Sequence, residues 1–412
     1  MTGSDGKRRV ALIGTGHRGT GLWGRELLAG FRSRIDLVGL ADKNSMRAEA
    51  ARVAIGTNAP VFSDLGAMLS ETQPETLIVC TRDDTHADFI VAGLEAGANV
   101  ITEKPMATTA EMCRRILDAE KRTGRRVDVS FNYRYAPTAR RIKELLVSGV
   151  IGEVASVDFH WYLNVQHGAD YFRRWHAYVE YSGSLFVHKA THHFDLLNWY
   201  IDSDPKEVFA RGALRHYGRR GPFRGPRCKI CEHAAECDFH LDIGGDPWLD
   251  MLYEAPSRED GYFRDGCVFR EDIDIPDTMS AAILYENGVQ VSYSLNTFMP
   301  IEGYHLAFNG TRGRIEIRQY EKQPWETPDA DEILVIRNFG SYERVRVPHE
   351  PGGHFGGDPR LQTMLFVPGT EDPLGQRAGA RAGAMSVLTG VAAMDSARAG
   401  KPVAVKPLLE GS

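Results

Sequence analysis

The sequence predicts an α/β protein: a doubly wound parallel sheet, followed by an α/β unit built on a large, open, mainly antiparallel sheet. Three observations carry this. In the first third, short apolar runs alternate with longer stretches of helical spacing. The first apolar run leads directly into a glycine turn, Gly14-Thr15-Gly16-His17-Arg18-Gly19. Beyond about residue 131, strand-like runs follow one another, several joined by Gly-containing turns. A chain of 412 residues holds two domains, expected over residues 1–131 and 132–412.

In the first unit the strands fall at 10–13, 37–40, 76–80, 100–102 and 127–130, with helices at 87–96 and 110–122 between them. In the second, strands are expected at 154–161, 278–285, 290–296, 304–308, 314–318 and 332–336, with turns at Asn287-Gly288 and Asn309-Gly310. Residues 379–399 return to helical spacing, Gly400 ends that helix, and a short strand closes the chain. The stretch from about 215 to 275, rich in Arg, Gly, Pro, Cys and Asp, reads as an irregular insertion.

Composition excludes several function classes. Apolar residues at 42% and charged residues at 25% describe a folded chain, and a net charge of -6 gives no reason to expect nucleic acid. No apolar run is long enough to span a bilayer. Lys7-Arg8-Arg9 precedes an apolar run, but that run enters the glycine turn with no small-residue cleavage site. Six cysteines over this length are unlike a secreted disulfide scaffold, so the cytoplasm is expected.

A strand–GxGxxG–helix unit holds a dinucleotide pyrophosphate. Gly14 permits the tight turn, Gly16 lets the backbone approach the phosphates, and Gly19 lets the helix pack close, with His17 and Arg18 completing the loop. Asp42 ends the second strand, where a carboxylate can bond ribose hydroxyls and repel a 2′-phosphate; NAD is therefore expected over NADP, with Lys43 softening the discrimination. Thr81, Arg82, His86, Glu103, Lys104 and Pro105 all lie at or just past strand ends, which places them in one crevice.

Two constellations bear on the chemistry. Lys104, at a strand end beside a nicotinamide site, can hydrogen-bond a substrate hydroxyl and lower its pKa. His188-Lys189-Ala190-Thr191-His192-His193-Phe194-Asp195 opens a helix on which His188 and His192 share a face, as do His192 and Asp195. An imidazole there can take a proton from an alcohol as hydride leaves the same carbon. The alternatives are a metal site on His188, His192 and Asp195, or histidines bonded to backbone carbonyls.

The ordered set of motifs resembles the glucose-fructose oxidoreductase / inositol dehydrogenase / rhizopine-catabolism (Gfo/Idh/MocA) family. It comprises Gly14–Gly19, Thr81 with His86, Gly97-Ala98-Asn99-Val100 leading to Glu103-Lys104-Pro105, Asn132-Tyr133-Arg134-Tyr135, Gly149-Val150-Ile151-Gly152, and Gly183 through Asp195. The resemblance implies a Rossmann domain, an open-sheet α/β domain, and NAD(P)-dependent oxidation or reduction at a hydroxyl of a sugar, sugar derivative or cyclitol. It implies that Lys104 and His192 are catalytic and that Asn132 lies with the cofactor. The substrate would meet Lys104, Arg134, Trp175, His188 and His192. It further implies a homo-oligomer, a dimer or tetramer, formed through the open sheet. The sequence departs from the family twice: His188 stands where an aspartate is usual, and Trp175-His176 where a Trp-Arg pair is usual. His188 is thereby a third catalytic candidate. NAD-dependent glycoside cleavage with transient ring oxidation, and a non-catalytic dinucleotide sensor, are the competing functions.

Cys228, Cys231, Cys237 and Cys267 fall inside the insertion, and a four-thiolate zinc would staple a segment lacking its own core. An iron–sulfur cluster and reduced cysteines without metal are the other readings. Arg215, Arg219, Arg220, Arg224 and Arg227, interleaved with Gly and Pro, read as a solvated loop rather than an anion grip.

Overall fold

A computed structural model describes residues 6–411; the outer ends of the two expected spans, residues 1–5 and 412, lie outside the described residues. Six strands form a parallel sheet in the order β3-β2-β1-β4-β5-β6: β1 (Arg8–Ile13), β2 (Ile35–Ala41), β3 (Val61–Phe62), β4 (Thr76–Val79), β5 (Asn99–Thr102) and β6 (Val127–Val129). Chain order reverses between β1 and β4, and ligands of such sheets bind in the crevice at that switch, beyond the carboxyl ends of the strands. Strands β1 and β4 are nearly continuous apolar runs because helices cover both faces of the sheet. The two-residue β3 carries too short a signal to read from sequence.

The second sheet has nine strands in the order β14-β13-β12-β11-β7-β10-β9-β8-β15. These are β7 (Val154–Asn164), β8 (Pro205–Ala213), β9 (Thr278–Tyr285), β10 (Gln290–Met299), β11 (Glu302–Gly310), β12 (Gly313–Lys322), β13 (Ala330–Arg337), β14 (Ser341–Pro348) and β15 (Val403–Ala404). All pairs are antiparallel except β7 with β10. Along β9 and β10 buried residues such as Met279, Ala281, Val291 and Tyr293 alternate with exposed Ser280, Ala282 and Ser292, so one face packs and the other stays open. The expected turn at Asn309-Gly310 sits two residues later: β11 runs through Gly310, and Thr311-Arg312 make the turn into β12. Among the described residues, no helix is long and apolar enough to cross a membrane.

Helix Ala380–Ala399 packs on both units. Ala380, Ala384 and Val387 join the core of the parallel sheet, and Met385, Leu388 and Ala392 that of the large sheet. The insertion also returns: Ile243, Leu252 and Tyr253 share one core with Val10, Leu12 and Trp23. Chain that follows residue 132 therefore completes the packing of the parallel sheet.

Candidate active site

The loop after β1 is shaped by contact. Gly14 has φ +90°, and a Cβ there would meet the Cys80 backbone at 2.5 Å. A Cβ at Gly19 would lie 2.0 Å from the Gly14 carbonyl oxygen, so Gly19 serves the packing of its own turn. A Cβ at Gly16 would meet only the Tyr253 hydroxyl, at 3.1 Å, and would project into the cavity. The loop thus keeps one glycine free of packing where a dinucleotide would approach, and it fits such a ligand.

That cavity, of about 670 Å³, runs from the glycine loop and Asp42 to the large sheet. Gly14, Gly16, His17, Arg18, Asp42, Thr81 and Arg82 line it, with His86, Glu103, Lys104, Asn132, Trp175, His188 and His192 farther along. The Asp42 carboxylate accepts from Thr15 N and Oγ1 on one oxygen, and from Asn44 N and Arg47 on the other, at 2.9–3.3 Å. Arg18 spans Glu103 and Asp358. Burial works against an ionised Glu103, but Arg18, the Trp23 indole N–H and Lys104 hold its carboxyl below the usual range. His86 sets its ring nitrogens against the carbonyls of Pro105 (2.8 Å) and Thr81 (3.1 Å), tying the loops after β4 and β5 together.

Lys104 follows β5, and its ammonium donates to the His188 carbonyl at 3.2 Å across the join between the two sheets. Burial lowers its pKa to about 8, against the opposing pull of the Asp83 carboxylate. His188 and His192 sit on two successive helices, Leu185–His188 and Ala190–Ile201, that meet at Lys189. Burial and then the Lys104 charge hold His192 far below the usual imidazole range, so it stands neutral, and its buried Nδ1 has no hydrogen-bond partner. The His188 Nδ1 contacts Asp83 Oδ2 at 2.5 Å, and the His188 ring lies edge-on to His176 with centroids 4.1 Å apart. Burial raises the Asp83 carboxyl and lowers the His188 imidazole, while the Lys104 ammonium beside them pulls Asp83 back toward its charged form. Trp175 stacks on His176 at 3.6 Å.

Two sequence readings are corrected by this geometry. Arg134 does not line the cavity: its guanidinium makes a bidentate pair with Asp195 at 2.6 and 2.7 Å, and both side chains are buried. Asp195 is thereby used up in holding Asn132–Tyr135 against the histidine helix, and does not join His188 and His192 in a metal site. His193 points away from the cavity, stacked on Trp161 at 4.3 Å and bonded to the Tyr293 hydroxyl at 2.7 Å. Sequence reasoning passed over Asp83, Tyr171, Arg174, Glu321 and His354, all of which line the cavity. Burial raises Glu321 to about 7, with Lys189 pulling the other way. Only Asp83 had a signal, its place at the end of β4.

The four insertion cysteines carry free thiols and, with His240, line a second cavity of about 10 Å³. Arg173 donates to Cys228 Sγ at 3.3 Å. Among the described residues no three His, Cys, Asp or Glu side chains form a metal-ligand group, at the cysteines or at the histidine helix.

Residues 8–131 match the family described as oxidoreductases with an NAD-binding Rossmann fold, and residues 143–405 match its C-terminal α/β domain. The chain is 37% identical to the protein YteT of Bacillus subtilis (strain 168), over 98% of this chain and 99% of that one. It is 30% identical to inositol 2-dehydrogenase of Paracoccus denitrificans (strain Pd 1222), over 57% of this chain and 66% of that one. The fold is shared with the WlbA dehydrogenase of Bordetella pertussis, solved with NADH and UDP-GlcNAcA, at TM-score 0.65 and 20% identity over 97% of this chain and 98% of that one. The chain belongs to the Gfo/Idh/MocA family of NAD-binding oxidoreductases.

Proposed function

We propose that this oxidoreductase moves a hydride between NAD and a ring hydroxyl of a sugar, sugar derivative or cyclitol, with Lys104 and His192 converging on that hydroxyl. The observation that carries the reading is their shared cavity: a buried lysine and a neutral imidazole, in the space that begins at the glycine loop. Similarity to an inositol dehydrogenase supports a ring polyol as substrate class. NAD held along the glycine loop and Asp42 would supply the acceptor for the hydride of the carbinol carbon. Lys104 donates a hydrogen bond to the hydroxyl oxygen and stabilises the negative charge that grows there. His192 takes the hydroxyl proton, and the Lys104 charge beside it keeps the imidazole neutral and able to do so. Trp175, stacked on His176, gives a flat apolar wall for a ring face.

The test is a panel of inositols, aldoses, uronates and glycosides, each with NAD or NADP, read for both reduced nicotinamide and released aglycone. NADH is expected to accumulate with at least one ring polyol, and NAD to serve better than NADP. Asp42→Ala is expected to narrow that gap by removing charge repulsion toward a 2′-phosphate, Arg47 and Lys43 remaining beside it. Aglycone release without NADH would replace dehydrogenation by redox-neutral cleavage, and no turnover with any compound would reject both.

We also infer a structural zinc on Cys228, Cys231, Cys237 and Cys267. The support is the donor set: four free thiols around one small cavity, three of them on residues 228–237, whose secondary structure is limited to short turns. Elemental analysis of protein purified without chelator is expected to find one zinc per chain. Cys231→Ser is expected to lower the melting temperature while turnover at low temperature persists; absence of any bound metal leaves the cysteines as reduced packing residues.

A further inference from the structure

Part of the insertion does not loop into solvent. Residues 247–264 lie across the edge of the parallel sheet that carries the glycine loop and Asp42, and several buried contacts fix them there. Arg47 donates to the Leu252 carbonyl at 2.9 Å and pairs with Asp260 at 2.8 Å, and Asn44 Nδ2 donates to the Pro256 carbonyl at 2.9 Å. Glu259 accepts from the amides of Ser45 and Met46 at 2.7 and 2.9 Å, capping helix Ser45–Ile55 from another part of the chain. Leu252 is wholly buried in the core beneath the glycine loop.

This docking delivers Tyr253 and Arg264 to the loop. The Tyr253 hydroxyl accepts from the His17 amide at 2.7 Å, and it is the atom nearest to the free face of Gly16. The Arg264 guanidinium stacks over the Tyr253 ring at 4.7 Å, and Arg47 approaches the same ring at 5.7 Å. Tyr253, Tyr262 and Arg264 line the cavity opposite the loop. A hydroxyl that accepts from a loop amide still has its own proton to donate. Beside it stands the Arg264 cation, paired with Asp170 at 3.5 Å and lining the same cavity as the loop whose amides receive a pyrophosphate.

We propose that residues 247–264 form the outer wall of the dinucleotide site, with Tyr253 and Arg264 binding the pyrophosphate so that the dinucleotide leaves slowly. The inference rests on the chain's NAD-binding fold, and not on which polyol it oxidises. The insertion then has a reason to be anchored so firmly: it holds the cofactor from the side that the parallel sheet cannot reach.

The test is direct binding of NAD and of ADP-ribose, which shares the pyrophosphate but lacks nicotinamide, by calorimetry, together with the NAD off-rate by stopped-flow fluorescence. Tyr253→Phe and Arg264→Gln are expected to raise the Kd of both ligands by about tenfold or more, mainly through a faster off-rate. Arg264→Lys, which keeps the charge and loses the planar stack, is expected to fall between. Tyr253→Phe preserves the ring and serves as the conservative variant should the Arg264 variants fold poorly. Wild-type affinity and off-rate in folded Tyr253→Phe and Arg264→Gln would overturn the proposal. Failure of the wild-type protein to bind NAD or ADP-ribose at all would overturn the cofactor assignment instead.

Discussion

Lys104→Ala and His192→Ala are each expected to lower kcat by about 10²–10⁴-fold while NAD affinity stays that of the wild type. On the proposed reading both groups act on the substrate hydroxyl, one by donating to the oxygen and one by removing the proton, so neither is needed to hold the dinucleotide. Their environments separate the roles. Lys104 keeps its proton up to about pH 8, whereas burial and the neighbouring ammonium keep His192 free of one at neutrality. The rate of hydroxyl oxidation is therefore expected to fall as pH rises past about 8, where Lys104 discharges, with no acid limb near the usual imidazole pKa. Steady-state rates with NAD and the true substrate, alongside calorimetric Kd values, decide the matter. Near-normal turnover in both variants would remove these residues from the chemistry, and a matching loss of NAD affinity would make them cofactor ligands.

What could be read from the sequence here follows from how local each signal is. The glycine loop, Asp42 and Lys104 were legible because strand ends of a doubly wound sheet share one crevice whatever the rest of the chain does. Strands with buried alternation, such as β9, were found to the residue, whereas β14 was missed because its outward residues Ser341–Arg344 are all exposed and give no period-two pattern. β8 opens on a proline and buries few positions, and it too left no signal. Arg134 misled because a motif position says nothing of the buried Asp195 that claims it across 61 residues of chain. The insertion was legible in part: Arg215, Arg219, Arg220 and Arg224 are exposed, as a solvated loop would have them, yet Arg227 is committed to Glu254 and Asp265, and Tyr253 reaches the glycine loop 236 residues away. Non-local pairing of charged side chains has no periodicity to detect.

His188→Ala is expected to lower kcat by about 10²–10⁴-fold, and Asp83→Asn to displace the alkaline limb of the pH profile toward lower pH. Where relatives usually carry an aspartate, this chain has an imidazole, and the structure supplies a carboxylate to it from the other sheet: Asp83, just past β4, meets His188 Nδ1 at 2.5 Å. The pair sits against Lys104, whose ammonium bonds the His188 carbonyl and whose charge Asp83 helps to maintain. Asparagine keeps the shape of Asp83 but removes that support, so the Lys104 proton is lost at a pH below about 8 and the fall in rate begins earlier. A purely structural role for Asp83 would cost stability or overall rate and leave the profile in place, which makes the position of the limb the decisive reading. His188 lines the cavity and its Nδ1 is tied to Asp83, so on the proposed reading the imidazole meets the substrate while it positions the carboxylate. Removing the imidazole removes both that contact and the link that holds Asp83 beside Lys104. If His188→Ala kept most of its turnover while Asp83→Asn still shifted the limb, His188 would be a positioning residue. The carboxylate of Asp83 alone would then carry the role that the family resemblance assigns to an aspartate at position 188.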